Sequence, residues 1–76
     1  MDRTLWERHL TLARAHVAVG QRNVARQRKL LAKLDLDGHP TELARRMLKT
    51  YEDLLALMLE DALRIREDLS RPNPAR

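Results

Sequence analysis

Between residues 3 and 36 the apolar side chains recur at alternating spacings of four and three: Trp6, Leu10, Ala13, Val17, Gly20, Val24, Gln27, Leu31 and Leu34. A second series with the same rhythm runs Ala44, Leu48, Tyr51, Leu55, Met58, Ala62, Ile65 and Leu69. This heptad spacing keeps one narrow stripe of an α-helix facing a partner helix. Between the two series stands "LDLDGHPTEL". Gly38 suits a left-handed helix stop, and Pro40 holds His39 extended. Thr41 is a good N-cap, and Glu42 adds a favourable negative charge to the new first turn. The sequence therefore predicts an all-α protein, an antiparallel hairpin of two long helices over about 3–36 and 42–69 with a turn at 37–41. Residues 1–70 form one domain in this reading, and 71–76, with Pro72 and Pro74, form a disordered tail.

A glycine inside a helix costs about 1 kcal/mol relative to alanine. Gly20 lies on the seam, where the lack of a side chain lets the facing helix come close. Folding the chain about Gly38 places opposite each other residues whose numbers add to roughly 75. Leu10 then meets Ile65, Val17 meets Met58, Val24 meets Tyr51, and Gly20 meets Leu55. Gln27 falls beside Leu48 and Tyr51, and the register predicts that the phenol satisfies its amide. It also sets His9 near Asp68 and His16 near Asp61.

The second helix is the more apolar. In "LLALMLEDAL", Leu54, Leu57, Leu59 and Leu63 stand beside the seam, a band wider than one partner helix covers. A chain of 76 residues buries too little surface to be comfortably stable alone. It contains no cysteine, which removes disulfides, zinc thiolates and a thiol nucleophile, and suits a reducing cytosol. The expected remedy is a homodimer that closes a four-helix bundle, with Gly20, Val24, Gln27, Leu48, Tyr51, Leu54, Leu55, Met58 and Leu59 as its packing residues.

Charge is distributed less evenly than the net value of +4 implies. Arg22, Arg26, Lys29 and Lys33 form one outward stripe on the first helix, flanked by Arg14 and Arg28. Arg45, Arg46 and Lys49 bring the start of the second helix to the same end. The open end carries Asp2, Glu7, Asp53, Glu60, Asp61, Glu67 and Asp68, diluted by arginines. Cations near a helix C-terminus favour its dipole, which accounts for Lys29 and Lys33 but not for Arg22 and Arg26. A merely solvated stripe is the plainest explanation. Three functional readings compete with it: a protein partner or self-assembly through complementary ends, a nucleic-acid backbone, and an anionic membrane surface. The last is disfavoured because the stripe's helix has no bulky apolar residues free to insert. The nucleic-acid reading lacks interleaved aromatics for base stacking, so binding would be weakly selective. In architecture alone, the hairpin is similar to the plasmid copy-control protein that dimerises as helical hairpins on RNA loops.

Little else in the chain carries chemistry. The sole serine, Ser70, falls at the expected tail, which excludes a serine triad. Neither HExxH nor a Glu-x-x-His pair occurs. His9 and His16 lie about 10 Å apart along a helix, too far for one ion. Adjacent acids such as Glu60 and Asp61 point to different faces and read as a solvated stripe. A small all-helical mutase pocket would need a third helix. The sequence argues for a non-enzymatic interaction or regulatory module without cofactor or metal, with a nucleic-acid-binding hairpin as the alternative. No apolar run approaches the roughly 20 residues of a membrane span. "MDRTLWERHL" is charged throughout and does not read as a signal peptide, so a cytoplasmic location is expected.

"HVAVGQRNVARQRKLLAKL" and "GHPTELARRMLKTYEDLLALM" together resemble short uncharacterised proteins of rhizobial-type alphaproteobacteria. The shared pattern covers His16 to Ala18, Gly20, Arg22, Ala25 to Arg28, Gly38, His39, Thr41, Tyr51, Glu52 and Leu55. Pro40 departs from it, where an acid is usual. The resemblance implies a bacterial helical hairpin and brings no activity with it. An excess of arginine over lysine agrees with a GC-rich bacterial genome.

Overall fold

A computed structural model describes residues 2–71. Two helices, α1 (Arg3–Leu36) and α2 (Glu42–Ser70), account for nearly all of them, and no strand occurs among the described residues. Ser70 is the last residue of α2, one position beyond the heptad series and not part of a tail. The disorder expected of the tail falls mainly on 72–76, outside the described residues.

Each helix end has a local cause. Asp2 caps α1, its carboxylate accepting from the backbone N–H groups of Thr4 at 3.0 Å and Leu5 at 3.3 Å. At the other end the chain leaves α1 through a Schellman turn. The Gly38 N–H donates to the Asp35 carbonyl at 3.1 Å, and the His39 N–H to the Leu34 carbonyl at 2.9 Å. Gly38 has φ 76°, the left-handed conformation that this turn demands. No atom lies within 4 Å of where its Cβ would stand, so a substitution there meets only backbone strain. Gly38→Ala should therefore destabilise the fold by about 1–2 kcal/mol. A urea titration followed by circular dichroism checks this, and an unchanged midpoint would mean that the turn relaxes without cost.

The start of α2 corrects the expected cap. The Thr41 side chain makes no bond to the helix N–H groups, because Thr41 already has near-helical backbone angles. Its hydroxyl accepts instead from Arg45 Nε at 3.0 Å. At the open end, Arg3 reaches across the hairpin and donates from Nη1 to the Leu69 carbonyl at 3.0 Å. That bond satisfies a carbonyl at the end of a helix whose last turn has no basic residue of its own.

The helices pack side by side as an antiparallel rod with extents of 62 × 15 × 13 Å. The radius of gyration is 17.5 Å, against about 11 Å for a compact chain of this length. The core is correspondingly thin. Among the described residues, Val24, Ala44 and Leu69 are the only buried apolar side chains, with Gly20 buried beside them, and no large side chain is fully enclosed. All other seam residues, from Trp6 to Leu34 and from Leu48 to Ile65, are half-buried. The seam is thus the heptad line on both helices, but each side chain on it is covered from one direction only.

Candidate interaction surface

The seam side chains lie between the two helices of one chain. At Gly20 the approach is close. A Cβ added there would stand 3.1 Å from Leu55 Cδ1 and 3.1 Å from Met58 Sδ, so the missing side chain makes room for two large ones. Val24 is buried, and Leu48, Tyr51, Leu55 and Met58 are half-buried along the same line.

Gln27 corrects the sequence reading. Its side-chain oxygen Oε1 is buried and has no hydrogen-bond partner, so the Tyr51 phenol does not satisfy it. An unsatisfied buried acceptor costs about 1–3 kcal/mol. Gln27→Leu should therefore raise stability by about that amount, measured as a higher denaturation midpoint with an unchanged slope. A lower midpoint would show that the amide has a role that its static contacts do not reveal.

The histidines also differ from expectation. Among the described residues, neither His9 nor His16 forms an ion pair with an acid. An arginine three residues further along the chain reaches each acid first: Arg64 within α2 pairs with Asp61 at 3.4 Å, and Arg71, just past its end, pairs with Asp68 at 3.8 Å. His9 instead packs edge-on against Trp6, with ring centroids 5.6 Å apart. Among the described residues no three His, Asp or Glu side chains converge where a metal ion could sit.

The basic residues divide into groups. Arg22, Arg26 and Lys29 are exposed, line one shallow depression with Ala25 on α1, and make no ion pair among the described residues. Lys33 is paired with Asp37 at 3.5 Å. Arg28, beside the stripe, reaches Glu52 on α2 at 3.1 Å, and Lys49 holds Asp53 at 3.1 Å. Such exposed pairs are each worth about 0–1 kcal/mol and leave the cations available. Arg45 is held by Thr41, and Arg46 lines a different depression with Met47, Thr50, Tyr51 and Leu54 of α2. The bases of the turn end therefore do not form one patch. The stripe faces outward from α1, while Arg46 borders an apolar groove on α2.

The leucines beside the α2 seam are separated in the same way. Leu54 is 45% exposed on the groove that contains Met47. Leu59 is 40% exposed, and with Leu63 it lines a second groove completed by Leu10, Val17, Arg14 and Arg66. Neither Leu54 nor Leu59 is part of the intrachain seam. A further apolar row escaped the sequence reading altogether: Leu5, Leu12, Val19 and Leu30 on α1 are all exposed. The signal was present, since Leu5, Leu12 and Val19 repeat every seventh residue one position before seam residues. It was masked because α1 as a whole looks polar.

Comparison of the chain with family models, curated proteins and solved structures finds no match. The candidate surface rests on geometry alone: two apolar grooves flanking the seam and one unpaired basic row. No described helix is long and apolar enough to cross a membrane.

Proposed function

We propose that this chain is a non-enzymatic protein–protein interaction or regulatory module of the cytoplasm that works as a homodimer, two hairpins forming a four-helix bundle. The observation that carries this reading is the imbalance between its core and its exposed apolar surface. Among the described residues, only Val24, Ala44 and Leu69 are buried apolar side chains, while leucines on both helices stand open to solvent. A compact monomer of 8.9 kDa exposes about 4,800 Å², whereas this hairpin exposes 6143 Å². The excess is larger than the roughly 800 Å² that each partner contributes to a standard interface. Sedimentation at several concentrations tests the reading. A dimer that melts cooperatively, with a midpoint that rises with concentration, is expected. A sharp monomer at high micromolar concentration would sink it.

A second reading, binding of an RNA or DNA backbone, is favoured only by the unpaired row Arg22, Arg26 and Lys29. Its expected result is an affinity that falls steeply with salt, with each neutralised arginine or lysine lowering the slope of log affinity against log salt by about one. Titration of labelled RNA and duplex DNA at two salt concentrations, with the Arg22/Arg26 double variant beside the parent chain, decides it. Absence of binding at low salt removes this reading.

A further inference from the structure

We infer that the second copy docks on one particular side of the hairpin, the side lined by Leu5, Leu12, Val19 and Leu30 of α1 and by Met47 and Leu54 of α2, with the two turns at opposite ends. This rests on the homodimer proposed above and specifies its face and its orientation.

The face follows from helical geometry. Each residue advances about 100° around its helix. In an antiparallel pair, residues one position before a seam residue therefore project to the same side of the hairpin on both helices. Leu5, Leu12, Val19 and Leu30 precede Trp6, Ala13, Gly20 and Leu31, while Met47 and Leu54 precede Leu48 and Leu55. All six are exposed. Together they make an apolar strip along both helices.

The opposite side is poorer for docking. There the Arg28–Glu52 pair bridges the two helices, Arg3 crosses to Leu69, and Arg14 and Arg66 border the groove of Leu59 and Leu63. Covering that side would strip water from several charged groups, which is costly unless each finds a partner. On the proposed side Arg46 borders the groove, and the charged residues one position before the seam, Arg26, Lys33, Asp61, Arg64 and Asp68, stand toward the two ends of the rod, away from Val19 and Leu54.

The orientation follows from charge. Stacking two such faces with the turns at the same end would lay α1 of one copy on α2 of the other. At the hairpin's own register, Lys29 would then stand level with Arg46 of the second copy, with Arg26 about one helical turn away. That sets like charges together at the end where Arg22, Arg26 and Lys29 are already unpaired. Turns at opposite ends instead lay α2 on α2. With the two hairpins fully overlapped, Arg46 comes within about one helical turn of the second copy's Asp68. Asp61 and Asp68 stand at the open end on this side, each in a solvent-accessible pair with a neighbouring arginine that leaves its carboxylate within reach of a second cation.

Full overlap also fixes the two-fold axis. It passes near the middle of each helix, by Val19 on α1 (Arg3–Leu36) and by Leu54 on α2 (Glu42–Ser70). Each of these residues then lies close to its own equivalent in the second copy.

The chain contains no cysteine, so single cysteines report this directly. Val19→Cys, Leu54→Cys and Leu59→Cys are each purified, checked for helix content, oxidised at dilute concentration and resolved by non-reducing electrophoresis. The expected result is a rapidly formed disulfide dimer of Val19→Cys and of Leu54→Cys, and none of Leu59→Cys, which stands near the same level on the opposite side. Rapid cross-linking of Leu59→Cys alone overturns the face while leaving the homodimer standing. If neither Val19→Cys nor Leu54→Cys cross-links by itself, but the two variants cross-link when mixed, the turns share an end and the orientation is overturned. A parent chain that sediments as a monomer overturns the homodimer and this inference together. The two reporters stand on different helices, so if one variant fails to fold the other still reads out the face.

Discussion

Val24→Asp should leave the chain without a cooperative thermal transition. Val24 is 4% exposed and belongs to a core whose other buried apolar members among the described residues are Ala44 and Leu69. An unpaired carboxylate in such a site costs several kcal/mol. At roughly 0.05–0.15 kcal/mol per residue, a chain of 76 residues has a total stability of about 4–11 kcal/mol. The substitution therefore removes most or all of it. Ala25→Asp, at the exposed neighbouring position, is the control. It carries the same charge and the same low helix propensity, and should lower stability by no more than about 1 kcal/mol. The measurement is the helical signal at 222 nm against temperature. Equal losses in the two variants would show that helix propensity, not burial, sets the effect.

Gly20→Leu should destabilise the hairpin by about 1–3 kcal/mol or change its oligomeric state, because overpacking a close contact forces the neighbours off their preferred conformers. Even the first carbon of the new side chain stands 3.1 Å from both Leu55 Cδ1 and Met58 Sδ, and the remaining three atoms have no space between the helices. The gain in helix propensity, about 1 kcal/mol, offsets only part of this. Gly20→Ala should differ in sign. Its single methyl meets only the far ends of two flexible side chains, which yield by a few tenths of an ångström, so the melting temperature should hold or rise. Paired melts and sedimentation of the two variants check the contrast. An unchanged melt and mass for Gly20→Leu would mean that the helices separate at this level without loss.

The two helices, their antiparallel pairing and its register were all legible in the order of the residues. A repeat of fours and threes has one solution as a buried stripe, and Gly38 before Pro40 allows one place to turn. The pairing of Gly20 with Leu55 follows from counting alone, since a helical hairpin with a short turn has little freedom to slide. Contacts that depend on side-chain reach were not legible. Asp61 and Asp68 had arginines within three residues, and a local partner is reached before a distant histidine. The Thr41 hydroxyl had two competing partners, the helix N–H groups and Arg45, and the backbone angles of Thr41 decided for Arg45. The orphaned oxygen of Gln27 had a phenol nearby in the register, but register fixes level along the rod and not the direction in which a side chain points. Packing of the two helices was needed to divide the basic residues of the turn end into an outward row on α1 and a rim on α2, and the exposed leucines into two opposite grooves. One cause underlies all these cases. Heptad spacing specifies which stripe of each helix is buried, whereas the sides to which the remaining residues turn depend on how the second helix is set against the first.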